Sequence, residues 1–208
     1  EMCAGPKGEL KCLICNADEL RWGYDMCTHS AFARRVVADE ARKIAAAGVD
    51  YIQLFDQNLG GASYPCYSKG HGHPPAPGPW QQQSMRELVA GVKKAMAETG
   101  NEAVLGCEAA AAEAYLAEIP LNDLRQITNW QQFGVPVPAL AYVYHEYVHG
   151  FLGNQGGAVP HMADPATDPH NHLLRAAYAF VAGDLCTVVL KSGGELAWGW
   201  CLRWDELP

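Results

Sequence analysis

The chain alternates between stretches with helical spacing of apolar residues and short, continuously apolar runs. Residues 31–47 (AFARRVVADEARKIAAA) place Phe32, Val36, Val37, Ala41 and Ile44 near a 3.6-residue period, which predicts an amphipathic helix. Ser30 or Thr28 can cap its start, and Gly48 stops it. Residues 51–55 (YIQLF) follow at once as a short apolar strand, succeeded by Asp56, Gln57 and Asn58. The unit then repeats. Residues 81–99 carry Met85, Leu88, Val89, Val92 and Met96 on one helical stripe, stopped by Gly100. Residues 103–107 (AVLGC) read as the next strand, ending in Glu108. A third helix is expected over 109–118, a strand over 135–144 (VPVPALAYVY) leading into His145 and Glu146, a helix over 172–183 and a last strand over 185–191.

Helices alternating with continuously apolar strands point to an α/β protein with a parallel sheet. The polar residues fall at the carboxyl ends of strands, where both doubly wound sheets and (β/α)8 barrels carry their chemistry. No G-x-G-x-x-G follows a strand, which favours a TIM-barrel-like (β/α)8 fold over a dinucleotide-binding one. The expected organisation is one barrel domain over 1–208, with residues 1–25 irregular and the βα units in 26–191. A complete barrel takes about 250 residues. The 208 residues here, with almost nothing before Met26 to supply earlier βα units, predict an incomplete barrel or an internal piece of a longer chain.

Composition narrows the partners. Hydrophobic residues make up 49% and charged residues 18%, which excludes a disordered or fibrous chain. The net charge of −8 offers nothing to neutralise a phosphate backbone, so no nucleic-acid partner is expected. No apolar run approaches the roughly 20 residues a bilayer span needs, so no membrane partner is expected either. The eight cysteines are too few for a disulfide scaffold. Cys12 and Cys15 form a single C-x-x-C without the second pair of a zinc ribbon, and Leu13 and Ile14 between them suit a strand rather than a redox helix. The remaining six cysteines, Cys3, Cys27, Cys66, Cys107, Cys186 and Cys201, read as buried free thiols. No cofactor is expected.

Asp56 and Glu108 are the leading catalytic candidates, each an acid directly after an apolar strand and one βα unit apart. Glycoside cleavage needs two carboxylates facing one bond, about 5–5.5 Å apart for retention and about 6.5–9.5 Å for inversion. An acid after a strand can also simply cap the following helix, a reading that stays open for Glu108. The long Gly/Pro loop of residues 59–79, with Trp80 directly after it, places Tyr64, Tyr67, His71 and His73 near them in sequence, and Trp22 and Tyr24 can join. Aromatic faces and imidazoles beside an acidic centre suit a sugar ring, so Gln57, Asn58, His71, His73, Trp80, Tyr144, His145 and Glu146 are candidate substrate contacts. The His71-x-His73 pair also has the form of a metal pair, but it lies deep in a loop rather than on a strand end, so no metal site is expected there.

His145-Glu146-Tyr147-Val148-His149 is formally an H-E-x-x-H. On a helix that spacing binds zinc through both imidazoles with the Glu as base. The following GFLGN resembles the surroundings of the motif in zinc aminopeptidases, whose third ligand would fall at Asp168, an Asp where that family has Glu. The alternative is therefore a zinc peptidase using His145, His149 and Asp168. Two prolines and many β-branched or aromatic residues before His145 predict a strand, which would destroy the i,i+4 geometry.

Tyr24-Asp25-Met26-Cys27 before a helix, the strand ending in Asp56-Gln57, the strand ending in Glu108 and the segment Pro138 to Tyr147 (PALAYVYHEY) together resemble a domain-of-unknown-function family in the glycosidase (β/α)8-barrel superfamily. The resemblance covers about residues 25–183. It implies a carbohydrate-active barrel with Asp56 as nucleophile, Glu108 as acid/base, and His145 and Glu146 as hydrogen-bonding groups for sugar hydroxyls. A zinc peptidase and a non-catalytic carbohydrate-binding barrel remain the alternatives.

Overall fold

The computed structural model describes residues 1–10, 12–16, 20–55, 65–108, 111–123, 139–151, 177, 180–185, 190 and 192–195. The chain divides into two compact units, Glu1–Leu105 and Gly106–Pro208. In the first, strands β1 (Cys12–Asn16) and β2 (Leu20–Tyr24) form an antiparallel hairpin in the register Cys12↔Tyr24 to Asn16↔Leu20. This is regular structure where the sequence predicts irregular chain, and it places the C-x-x-C on a strand.

Helix α1 (Ala31–Ala46) follows the predicted stretch closely. Ser30 is its N-cap, with Oγ accepting from the Ala33 amide at 3.2 Å. Gly48 leaves it at φ 83, a left-handed turn suited to glycine. Its buried face is Ala33, Ala41 and Ala45. Small side chains on that face admit close approach of α2 (Pro79–Ala97). Helix α2 buries Met85, Leu88, Val89, Val92 and Met96, the whole predicted stripe, together with Ala95. Pro79 occupies its first turn, where the missing N–H costs nothing. The Gln81 side chain accepts from the Gly78 amide at 2.9 Å. Between the helices lies β3 (Tyr51–Phe55), and after α2 comes β4 (Val104–Glu108). The Val104 amide donates to the Asp50 carbonyl at 2.7 Å, which aligns the starts of the two strands.

In the second unit a 3₁₀ turn, Glu113–Tyr115, leads to β5 (Leu121–Asp123). Then come a six-residue helix α3 (Ala139–Tyr144) and β6 (His149–Phe151). Strands β4, β5 and β6 pair in parallel, and the sheet order is β3-β4-β5-β6. A further parallel bridge joins Phe151 to Leu185, whose amide donates to the Gly150 carbonyl at 2.8 Å. The fold is thus α/β around a parallel sheet, four-stranded among the described residues.

Two predicted elements differ. Residues 109–118 do not form a helix among the residues described. Ala112 is extended, and the Ala111 amide is held by the Asn122 side chain at 3.2 Å, so a tertiary bond overrides the alanine propensity. Residues 139–144, expected as strand, are helical. Pro138 immediately before them is a helix-start signal that outweighs their β-rich composition. Of the helix predicted over 172–183, positions 177 and 180–182 are helical, and Gly183 ends it at φ 76.

Candidate functional site

Two groupings of chemically active side chains stand out, one in each unit. In the second, the parallel register sets Glu108 opposite Asp123 and Cys107 opposite Asn122. Because side chains alternate along a strand, Glu108 and Asp123 share one face at the carboxyl ends of β4 and β5, and Cys107 and Asn122 share the other. Both acids are buried, at 8% and 5% exposure. On the opposite face the Cys107 thiol donates to Asn122 Oδ1 at 3.1 Å, and Asn122 Nδ2 donates to the Ile119 carbonyl at 3.3 Å. With the Ala111 amide bond, these contacts tie Asn122 and hence β5 to β4, to the chain after β4 and to the turn before β5. Burial pushes the Cys107 thiol up to about 12, and the negative charges of Asp123 and Glu108 add to the shift.

In the first unit, the loop that follows residue 64 brings Cys66, His71 and His73 to Cys27, just before α1. One ligand atom from each of these four lies within 4.8 Å of every other. Cys27 Sγ is 3.3 Å from His73 Nε2, and Cys66 Sγ is 3.4 Å from His71 Nδ1. The N-terminal segment adds Cys3, held by its amide bond to the Asp25 carbonyl (2.7 Å), the Met2↔Met26 bridge and the Tyr67 amide bond to the Ala4 carbonyl (2.8 Å). Cys3, Cys27 and Cys66 are essentially inaccessible to solvent. Gly72, at φ 80 between the two histidines, takes a left-handed turn that directs both rings to the thiols. His73 Nδ1 is 2.8 Å from the Pro74 carbonyl and its ring stacks on Trp80 at 3.7 Å between centroids. Trp80 in turn is fixed by its Nε1–H bond to the Ala76 carbonyl at 2.7 Å. A hydrogen bond with Cys3 pulls the Cys27 thiol down to about 4, aided by the His29 amide, His71 and His73 and opposed by burial; Cys3 is pushed up in exchange.

The remaining predicted positions spread out. Asp56, Gln57, Asn58 and Asp168 lie outside the described residues. His71, His73 and Trp80 come together, but His73 is buried against the thiols and covers one face of Trp80 rather than offering it to a ligand. Tyr144 donates to Glu113 at 2.6 Å, a bond that raises its hydroxyl above the ordinary tyrosine range. His145 and Glu146 are exposed in the turn after α3, and His149 opens β6. The H-E-x-x-H is therefore not on one helix, and its two imidazoles lack the i,i+4 relation that zinc peptidases use. The turn replaces the strand the sequence predicts there. His145 and His149 do line one cleft of about 480 Å³ with Tyr142, Phe180 and Asp184. Asp123 was not legible in sequence, because β5 is only three residues long and shows no alternation. The thiol–imidazole cluster left a trace, Cys66 five residues before His71-x-His73, but Cys3 and Cys27 are remote from it in sequence.

The chain belongs to the family of the domain of unknown function DUF6259, whose model matches residues 16–153, about two thirds of its length. No curated protein matches it.

Proposed function

We propose that this DUF6259 protein is a glycoside hydrolase of the (β/α)8-barrel type, acting on a carbohydrate through carboxylates at the strand ends. The supporting observation is the buried pair Glu108 and Asp123, side by side on one face at the carboxyl edge of a parallel sheet. Adjacent strands run about 4.8 Å apart, so two carboxylates in register on one face can reach the separation of about 5–5.5 Å that retaining glycosidases use. Glu108 donates its proton to the leaving oxygen, and the ionised partner attacks or stabilises the anomeric carbon. Two neighbouring buried carboxyls favour this division of labour, since ionising both at once is costly.

Asp123 is the partner the geometry supports; Asp56, next in sequence after β3, is the one the sequence predicts. A panel of aryl glycosides decides between them. Glu108→Gln is expected to lower turnover about 10²–10⁴-fold, and Asp123→Asn by a similar factor, with circular dichroism unchanged. Loss in Asp56→Asn with full activity in Asp123→Asn would return the nucleophile to Asp56. Full activity in Glu108→Gln would end the hydrolase reading, and carbohydrate binding without turnover in the unmutated protein would replace it with a non-catalytic one.

A further inference from the structure

We propose that Cys27, Cys66, His71 and His73 form a structural site for one tetrahedral zinc-class divalent cation, independent of the acidic edge of the second unit. Zinc takes thiolate sulfur at about 2.3 Å and imidazole nitrogen at about 2.0–2.1 Å. The edges of such a tetrahedron are then about 3.4–3.8 Å, and the Cys27–His73 and Cys66–His71 contacts of 3.3 and 3.4 Å fall just below and at the lower end of that range. All four donor atoms already lie within 4.8 Å of one another, so closing on an ion needs only small side-chain movements.

The donor set suits the ion chemically. Two thiolates and two neutral imidazoles balance the charge of a divalent cation, which permits burial, and a soft S2N2 set selects zinc over magnesium or calcium. The surroundings supply the outer contacts a ligating imidazole needs. His73 Nδ1 lies 2.8 Å from the Pro74 carbonyl, an outer partner that orients the ring with Nε2 facing Cys27 Sγ. The Cys3 thiol hydrogen-bonds the Cys27 and Cys66 sulfurs from outside the four-residue set. Trp80 covers His73, and with four protein ligands there is no open position for a substrate, which makes the role structural rather than catalytic. Such an ion would clip the segment before α1 to the loop before α2.

The test uses the full chain purified reduced, with zinc measured by plasma mass spectrometry and cobalt(II) as an optical probe. One zinc per chain is expected, along with the visible absorption of tetrahedral thiolate-bound cobalt. Cys66→Ser and His73→Gln are expected to lose the stoichiometric metal, while Cys107→Ser and His149→Ala keep it. Should Cys66→Ser fail to fold, thiol alkylation of the unmutated chain reads the same point: chelation should expose Cys27 and Cys66 to reagent, and added zinc should protect them again. Substoichiometric zinc with no cobalt spectrum, loss of metal in His149→Ala, or a disulfide among Cys3, Cys27 and Cys66 in the freshly isolated protein would each overturn the site.

Discussion

In residues 1–105 the reactive side chains converge from separate stretches of chain, at Cys3, Cys27, Cys66 and the His71–His73 pair, whereas in residues 106–208 Glu108 and Asp123 meet through the register of two adjacent strands. The first arrangement depends on loop backbone bonds such as Tyr67 to Ala4 and on the left-handed turn at Gly72. The second depends on one ladder, in which a slip of a single residue would move Asp123 to the opposite face. The thiols differ in the same way. Those of the first unit sit among imidazoles and one another, while Cys107 lies beside two carboxylates. The thiol–imidazole cluster and the acid pair thus set buried cysteines in opposite surroundings.

The largest expected contrast is in thiol reactivity. With its pKa near 12, Cys107 is ionised in about one molecule in 10⁴ at pH 8. Because the shift is upward, the neutral thiol persists throughout the neutral range, and alkylation should rise only about tenfold per pH unit. Mass spectrometry of the folded protein should find Cys107 unlabelled at pH 8 under conditions that label chelated Cys27 and Cys66. Prompt labelling of Cys107 would erase the distinction between the two environments.

A smaller effect tests the ladder of the second unit. Asn122→Ala removes the acceptor for the Cys107 thiol and the Ala111 amide and the donor to the Ile119 carbonyl. Orphaned buried polar groups cost about 1–3 kcal/mol each, so urea denaturation should register a loss of about 3 kcal/mol. A loss below about 1 kcal/mol would mean that these bonds do not hold β5 in place. The smallest effect has the opposite sign and belongs to the first unit. Gly91 lies within α2, and a Cβ placed there meets nothing within 4 Å. Gly91→Ala should raise stability by about 0.5–1 kcal/mol, read as a higher melting temperature; a lower one would point to a partner for that face of α2.

Much of the framework was legible in the sequence because it rests on periodicity. The α2 stripe from Met85 to Met96 is buried as predicted, and β3 and β4 lie where continuous apolar runs place them. The α1 stripe is less legible: Ala33 and Ala45 are buried beside the expected Ala41, while Phe32 stays exposed, because close helix packing selects small side chains rather than large ones. Glu108 was visible as an acid ending a strand. Asp123 was not, since a three-residue strand after Pro120 has no period to detect. The 139–144 segment shows composition misleading in the other direction, where β-branched and aromatic residues form a helical turn. The thiol–imidazole cluster escaped for a different reason: its members are brought together by backbone bonds between distant segments, and no spacing rule in one stretch of sequence encodes that.

Gly72 carries a consequence for sequence drift. Its left-handed backbone between two converging imidazoles makes it the narrowest point through which variants of this loop must pass. A side chain there strains the turn even though His29, its nearest neighbour at 3.7 Å, leaves room. In a library of random variants selected for an intact fold, position 72 should retain glycine almost exclusively and admit asparagine next, while its exposed neighbours at Lys69 and Gly70 diversify freely.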